Sequence, residues 1–300
     1  MSVPYVEKYR PKELNELIAD DEIINKFQEF IDNRSIPHLL LVGNAGQGKT
    51  TSAKIIANKI SEDIMYINAS DETSVETIRN KVKGFCSTLG FSGQKIVILD
   101  EADFQSLNAQ AILRNIMEEF YKTSRFILTC NYLNKIIEPI RSRCQIFEFK
   151  GFDKTNILKK CAYILKKEKT KFDKNNIKEQ LTTLVDKCYP DIRKIIGSVE
   201  KFTVNGEFKF NEKYLEEDGG DFIELVKSKD LETIRTTIVG TIDYQQLYKV
   251  LFDKSDEINK EISVDIRLCV AEYLYRHSII VDQEINFMAC LYQILQLQEE

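Results

Sequence analysis

The sequence predicts an α/β fold: a parallel sheet covered by helices on both faces, followed by two all-helical segments. Three observations predict it. Short apolar runs recur through the first 150 residues, at Leu39–Val42, Met65–Ile67, Ile96–Leu99, Phe126–Thr129 and Ile146–Phe149. Segments of helical period, Thr50–Ile60, Val75–Phe85 and Leu107–Phe120, separate the first four runs, which is the pattern of buried strands joined by crossover helices. After Lys150 the apolar runs stop, and Lys154–Lys167, Asn175–Cys188 and Ile192–Lys201 read as helices, the last capped by Asp191 behind a break at Tyr189-Pro190. The polar stretch Thr203–Asn211 reads as a linker. Beyond it, Phe222–Lys227, Leu231–Val239, Tyr244–Phe252, Ser263–His277 and Ile285–Gln298 have helical period again. The expected domains are therefore 1–150, 151–207 and 208–300.

Composition bounds the function. In 300 residues, 43% hydrophobic side chains supply real cores, and 30% charged residues do not push the chain into disorder. No apolar stretch approaches the ~18 to 20 residues of a membrane span, and the start MSVPYVEKYRPKE lacks an apolar signal core, so the expectation is a soluble, intracellular protein with no membrane partner. The seven cysteines are odd in number and none lies within four residues of another, which excludes C-x-x-C zinc and redox patterns; the two histidines are too few for a His-based metal site. Any metal is then oxygen-ligated. The net charge of −5 hides a gradient: −1 over residues 1–150, +6 over 151–210 and −10 over 211–300. Distinct surfaces follow from that, and a weak total does not exclude nucleic acid, because phosphate contacts depend on a local patch.

Gly43-Asn44-Ala45-Gly46-Gln47-Gly48-Lys49-Thr50 matches G-x-x-x-x-G-K-[ST], with a predicted strand before it and a helix after. Glycines let backbone N–H groups close around phosphates at a positive helix end. Lys49 then reaches the β- and γ-phosphates and the Thr50 hydroxyl ligates Mg²⁺. Asp100, at the end of the Ile96–Leu99 run, is placed to hold that Mg²⁺, and Glu101 beside it to orient and deprotonate the attacking water. ATP hydrolysis with Mg²⁺ follows. Asn131, after the next strand, is placed to touch both γ-phosphate and water as a sensor. Arg143, in Ile140-Arg141-Ser142-Arg143-Cys144, is on spacing alone either a surface arginine or a finger reaching a neighbouring subunit's nucleotide.

Val6-Glu7-Lys8-Tyr9-Arg10-Pro11, Pro37-His38 with the phosphate loop, Asn68-Ala69-Ser70-Asp71-Glu72, Asp100-Glu101-Ala102-Asp103, Ser142-Arg143-Cys144 and Pro190-Asp191-Ile192-Arg193-Lys194 stand in the order found in AAA+ clamp-loader ATPases. The chain resembles that family in its replication factor C small-subunit type, strongly over residues 1–200 and by length and helicity over 211–300. Within the family it is most similar to the large subunit of the T-even-type bacteriophage loader, through the aromatic-Pro-Asp start at Tyr189. The resemblance implies a RecA-like AAA+ P-loop domain, a small helical lid and a C-terminal all-α collar that holds an oligomer. Departures are Asn44-Ala45 in place of Pro-Pro and Gln47 in place of Thr, which remove no phosphate-binding group.

Residue by residue, the resemblance implies that Val6, Glu7, Lys8, Tyr9 and Ile18 form the adenine side of the nucleotide site. Gly46, Gln47, Gly48, Lys49, Thr50 and Thr51 form its phosphate side, Arg193 is a second sensor, and Arg143 is the finger acting in trans. For DNA, it implies the helix after Ser74 and the one after Asp103; Arg79 and Lys83, and Gln110 and Arg114, sit at i and i+4. The loop Leu89-Gly90-Phe91-Ser92-Gly93 is the corresponding clamp-docking tip. Implied partners are primer–template DNA, a sliding clamp, further copies of the chain and one different small subunit, in the host cytoplasm if the chain is phage-encoded. The rivals are another AAA+ remodeller, such as a helicase loader or branch-migration motor, and a nucleotide-bound scaffold without turnover.

Overall fold

Five strands, β1 (His38–Gly43), β2 (Ile64–Asn68), β3 (Lys95–Asp100), β4 (Ser124–Cys130) and β5 (Cys144–Phe149), form one parallel sheet in the order β2-β3-β4-β1-β5. The computed structural model describes residues 3–71, 75–88, 90, 94–210, 220–228, 233–235, 244–277, 279–280 and 282–298. β3 is buried along its whole length and β1 and β4 nearly so, because helices cover both faces; that is why they read as apolar runs and not as alternations. Leu40 of β1 pairs with Leu128 of β4 on one side and Ile146 of β5 on the other. Val97, Leu99, Phe126 and Leu128 pack against Ile78, Val82, Leu113 and Met117 from the helices to make the main core. Because β4 lies between β1 and β3, the carboxyl ends of these three strands open side by side into the crevice where parallel α/β sheets bind ligands.

The helices start and stop where local chemistry directs. Ser106 caps Leu107–Glu119 by accepting from the Ala109 N–H, Asp153 caps Lys154–Lys167 from Thr155, and Asp191 caps Ile192–Lys201 from Lys194. The stretch predicted as one helix over Val75–Phe85 is three contiguous helical pieces, Val75–Thr77, a π-helical Ile78–Val82 and Lys83–Ser87.

The expected linker Thr203–Asn211 is a correction. Thr203–Val204 and Glu207–Phe208 pair as a two-stranded antiparallel hairpin, with Asn205 at φ +51° and Gly206 at φ +75° in the turn. Asn-Gly tolerates the two positive φ values that such a two-residue turn demands. Phe202, Phe208 and Phe210 pack with ring centroids 5.4 to 6.5 Å apart, and the hairpin exchanges backbone hydrogen bonds with Lys171. The chain divides after this hairpin, into Met1–Phe210 and Asn211–Glu300.

The second unit is helical in its described residues: Gly220–Ser228, Tyr244–Asp253, Ser255–Ile258, Ser263–His277 and Gln283–Leu297. Tyr248 and Phe287 meet edge-on at 4.8 Å in its core, and buried Asn286 donates to Tyr248 Oη (2.8 Å) and the Tyr273 carbonyl (2.9 Å). Most of the predicted helix Leu231–Val239 lies outside the described residues. No described helix is long and apolar enough to cross a membrane. All seven cysteines are free thiols, six of them buried.

His38 gives the first unit a pH dependence. Its Nδ1 accepts the Phe126 backbone N–H at 3.2 Å, and burial, helped by the Arg125 charge, lowers its pKa to about 4. The unfolded chain, titrating near 6.5, takes the proton more readily, so stability is full above about pH 6.5 and is lost as pH falls toward 4. Lowering the pH from 7.5 to 5 is expected to cost about 2 kcal/mol through this residue. Urea unfolding of His38→Asn at both pH values checks it: the variant's decrement should be smaller by that amount.

Candidate nucleotide site

The phosphate loop leaves β1 and enters the helix Lys49–Ile60. Gly46 (φ +74°) and Gly48 (φ +86°) hold backbone that other residues adopt at a cost, and a Cβ on Gly46 would sit 1.7 Å from Asp191 Oδ1. The loop is thus in contact with the cap of the Ile192–Lys201 helix. Lys49 is almost wholly buried, and its ammonium donates to the Gly43 carbonyl (2.7 Å), the Asn44 carbonyl (2.7 Å) and Asn131 Oδ1 (2.9 Å). Burial pulls its pKa down from the usual lysine value, with the charges of Asp100, Asp103 and Glu101 acting the other way.

Asp100, at the end of β3, is the hub of a hydroxyl cluster. Its Oδ1 accepts from Thr50 Oγ1 (2.7 Å) and Thr129 Oγ1 (2.6 Å), and its Oδ2 from Tyr66 Oη (2.7 Å). Thr129 Oγ1 in turn accepts the Glu101 backbone N–H at 2.9 Å. Glu101 sits at φ +56° in the left-handed region, strain of order 1 kcal/mol that this hydrogen bond helps to hold. Asp103 Oδ2 accepts the backbone N–H groups of Asn131 and Tyr132 at 3.3 Å and so fixes the loop carrying Asn131.

Two adjoining clefts result. One, of about 620 Å³, is lined by Val6, Tyr9, Pro11, Leu17, Ile18, Gly46, Gln47, Gly48, Thr51, Lys160, Arg193 and Ile196, among others. The other, of about 410 Å³, is lined by the phosphate loop with Thr50, Asp100, Glu101, Thr129, Asn131 and Arg193. The first is largely apolar and the second polar, with Lys49 and Arg193 set among Asp100 and Glu101; a nucleotide likewise has an apolar and a charged end. Gln47 Oε1 is buried without a hydrogen-bond partner at the junction. Among the described residues no cluster of three His, Cys, Asp or Glu side chains forms a metal cage. The adjacent Thr50 hydroxyl and Asp100 carboxylate fit Mg²⁺, which keeps several waters and takes the rest of its ligands from phosphate oxygens.

Glu7 and Lys8, expected on the adenine side, line neither cleft: Glu7 pairs with Arg10 at 2.9 Å and Lys8 with Glu168 at 2.6 Å. Arg143 lines neither as well. It is exposed, donates to the Pro139 carbonyl at 2.6 Å and pairs with Glu118. Of the residues expected at DNA, Ser74 lies outside the described residues, as does most of the loop Leu89–Gly93. Arg79 is exposed, Lys83 pairs with Glu119 at 2.9 Å, and Arg114 donates to Asn115. Gln110 is a correction. It is buried and its amide is spent: Nε2 donates to the Gln105 and Lys135 carbonyls and Oε1 accepts from the Ile137 N–H at 2.9 Å. The helix face that carries it is turned onto the 135–137 loop, so Gln110 ties that loop down and has no donor left for phosphate.

A model of the ATPase family associated with various cellular activities (AAA) matches residues 39–152. The replication factor C small subunit of Saccharolobus solfataricus is 33% identical over 96% of this chain and 92% of its own length. That of Staphylothermus marinus is 32% identical over 96% and 93%. The chain belongs to the replication factor C small-subunit family. With the Sulfolobus acidocaldarius small subunit the identity is 38%, and there the match spans 70% of this chain and 66% of that protein. The Thermotoga maritima RuvB Holliday junction branch migration motor superposes with a TM-score of 0.59 over 82% of this chain and 85% of that one, at 17% identity, which shows a common fold.

Tyr66 and Thr129 belong to no motif of this replication factor C relative, and Tyr66 has a separable role. Its hydroxyl orients the second oxygen of Asp100, while Lys54 lies 4.2 Å over its ring. Outer hydrogen bonds of this kind tune metal carboxylates. Tyr66→Phe is expected to raise the Mg²⁺ concentration needed for half-maximal turnover by roughly tenfold, with the KM for nucleotide at saturating Mg²⁺ little changed; a Mg²⁺ titration of phosphate release checks it.

Proposed function

We propose that this chain is an ATPase subunit of a sliding-clamp loader in DNA replication, using ATP binding to open a ring-shaped clamp and hydrolysis to release it closed on primer–template DNA. The observation that carries the reading is the convergence of Lys49, Thr50, Asp100, Glu101 and Asn131 at the ends of three neighbouring strands in a replication factor C small-subunit chain. The apolar cleft of Val6, Tyr9 and Ile18 takes the adenine. Lys49 exchanges its loop carbonyls for β- and γ-phosphate oxygens, and Arg193, on the rim of both clefts, bridges them from the lid. Thr50 and Asp100 would hold Mg²⁺, which would supply positive charge to the phosphate oxygens. Glu101 takes the proton of the attacking water and Asn131 orients it. Arg143, which lines neither of its own clefts, completes a neighbour's site.

Assembly is supported by the second unit, where Val264, Leu268 and Tyr275 expose an apolar stripe on Ser263–His277 and Ile285 and Tyr292 are exposed on Gln283–Leu297. Oligomerisation through such faces joins copies of this chain with one different small subunit. Arg79, Lys83 and Arg114 remain the candidates for primer–template phosphates. The T-even-type phage subgroup is supported by the Tyr189-Pro190-Asp191 start of the lid helix.

The test is steady-state ATP hydrolysis with the partner subunit, with and without primed DNA and the cognate clamp. Stimulation that needs both supports clamp loading. Turnover indifferent to both leaves an ATPase of another remodelling class, and no turnover at all leaves the scaffold.

A further inference from the structure

The N-terminal segment that lines the apolar cleft through Val6 and Tyr9 is also tied to the helices beside it. Tyr9 Oη donates to the Glu168 carboxylate, the Lys8 ammonium pairs with that carboxylate at 2.6 Å, and the Tyr5 backbone N–H donates to Glu200 Oε2 at 2.8 Å. Glu168 is the C-cap residue of Lys154–Lys167, and Glu200 lies on Ile192–Lys201, the helix that carries Arg193 to the clefts. Apolar contacts follow the same route. The Tyr9 ring meets Tyr163 edge-on at 6.3 Å, and Val6 lies directly over Gly197. The segment that supplies the apolar wall is therefore fastened at three residues, Tyr5, Lys8 and Tyr9, to lid helices. One carboxylate, Glu168, takes both a cation and a hydroxyl, and these two partners hold its pKa below the usual carboxylate value.

We propose that Glu168 and Glu200 are positioning residues that latch the N-terminal segment to the lid, so that the wall formed by Val6 and Tyr9 moves with the lid and nucleotide leaves when the latch opens. The inference rests on the nucleotide reading above. Its chemistry is that of charge-assisted hydrogen bonds, which are roughly twice as strong as neutral ones when the donor is shielded, and the Tyr9 ring is shielded. Removing Glu168 leaves the Tyr9 hydroxyl without its acceptor and Lys8 without its counter-charge. Neither residue touches phosphate, so the latch acts on residence of the nucleotide and not on the chemical step.

The experiment uses the full chain, wild type, Glu168→Ala and Glu168→Gln, with a fluorescent mant-ADP as the probe. Two readouts are taken: release of mant-ADP by stopped flow, and trypsin cleavage after Lys8, the Arg10–Pro11 bond being resistant. Glu168→Ala is expected to release mant-ADP roughly tenfold faster, the loss of about one charge-assisted hydrogen bond, and to be cut at Lys8 sooner. Glu168→Gln, which keeps an acceptor for Tyr9 and loses the charge facing Lys8, should fall between. A Lys8→Ala, Glu168→Ala double variant should be no faster than Glu168→Ala alone. Release and cleavage at wild-type rates in Glu168→Ala, with an unchanged melting temperature, overturn the latch. Wild-type chain that binds no mant-ADP overturns the nucleotide reading instead, and the latch's role with it; that result is distinguishable because it appears before any substitution is made.

Discussion

Glu101→Gln will lower ATP turnover by roughly two to four orders of magnitude and leave nucleotide binding near wild type. The substitution is isosteric, and the structure explains why it isolates the proton transfer. The Glu101 backbone is held in its left-handed conformation by the hydrogen bond to Thr129, which a side-chain amide does not disturb. Asp100, Thr50 and Lys49 keep their own partners, so the phosphate and Mg²⁺ positions stay built. What is lost is the carboxylate that takes a proton from water. Phosphate release in steady state and titration with mant-ATP separate the two effects; turnover within about threefold of wild type would remove Glu101 from the role of base.

Arg143→Ala will cost about a thousandfold in turnover of the assembled complex while the single chain binds nucleotide as before. Arg143 lines neither cleft of its own chain, so nothing it does for that chain's nucleotide is removed. In the single chain the guanidinium rests on Glu118 and the Pro139 carbonyl. That pair is exposed and salt-screened, hence readily exchanged for a neighbour's phosphate. Complementation gives the decisive form of the test. Arg143→Ala chains mixed with Lys49→Ala chains should regain activity at interfaces that join an intact loop to an intact finger. Absence of recovery at every ratio, with assembly confirmed, would make Arg143 a surface residue.

How much of this was legible in the sequence depends on the distance over which each feature is determined. β1, β3 and β4 are legible because burial on both faces writes them as unbroken apolar runs, and the Asp191 cap because it acts three residues away. The phosphate loop and Asp100-Glu101 are legible for the same local reason. Tyr66 and Thr129 are not, since their hydroxyls converge on Asp100 only once β3 is inserted between β2 and β4, an order no local pattern encodes. Gln110 shows the opposite failure. Its spacing to Arg114 does put both on one side of a helix, but which side faces the 135–137 loop is decided by tertiary packing. The hairpin at Asn205-Gly206 carries a turn signal of its own, but its two-residue strands are too short and their flanks too polar to stand out as apolar runs.

The coordination of Lys49 has a consequence for the heat of binding. Its three N–H donors already meet three oxygens of the protein, two of them carbonyls of its own loop and the third Asn131 Oδ1. On the proposed nucleotide reading, an arriving phosphate would displace those oxygens and not bulk water, exchanging one oxygen shell for another. The loop is its own placeholder: the Gly43 and Asn44 carbonyls keep a buried cation tolerable in the empty site, and on the proposed reading they would return to the ammonium as product departs. Calorimetry should accordingly register a small enthalpy for the phosphate end of the ligand, with the Gly43 and Asn44 carbonyls supplying much of the recoil.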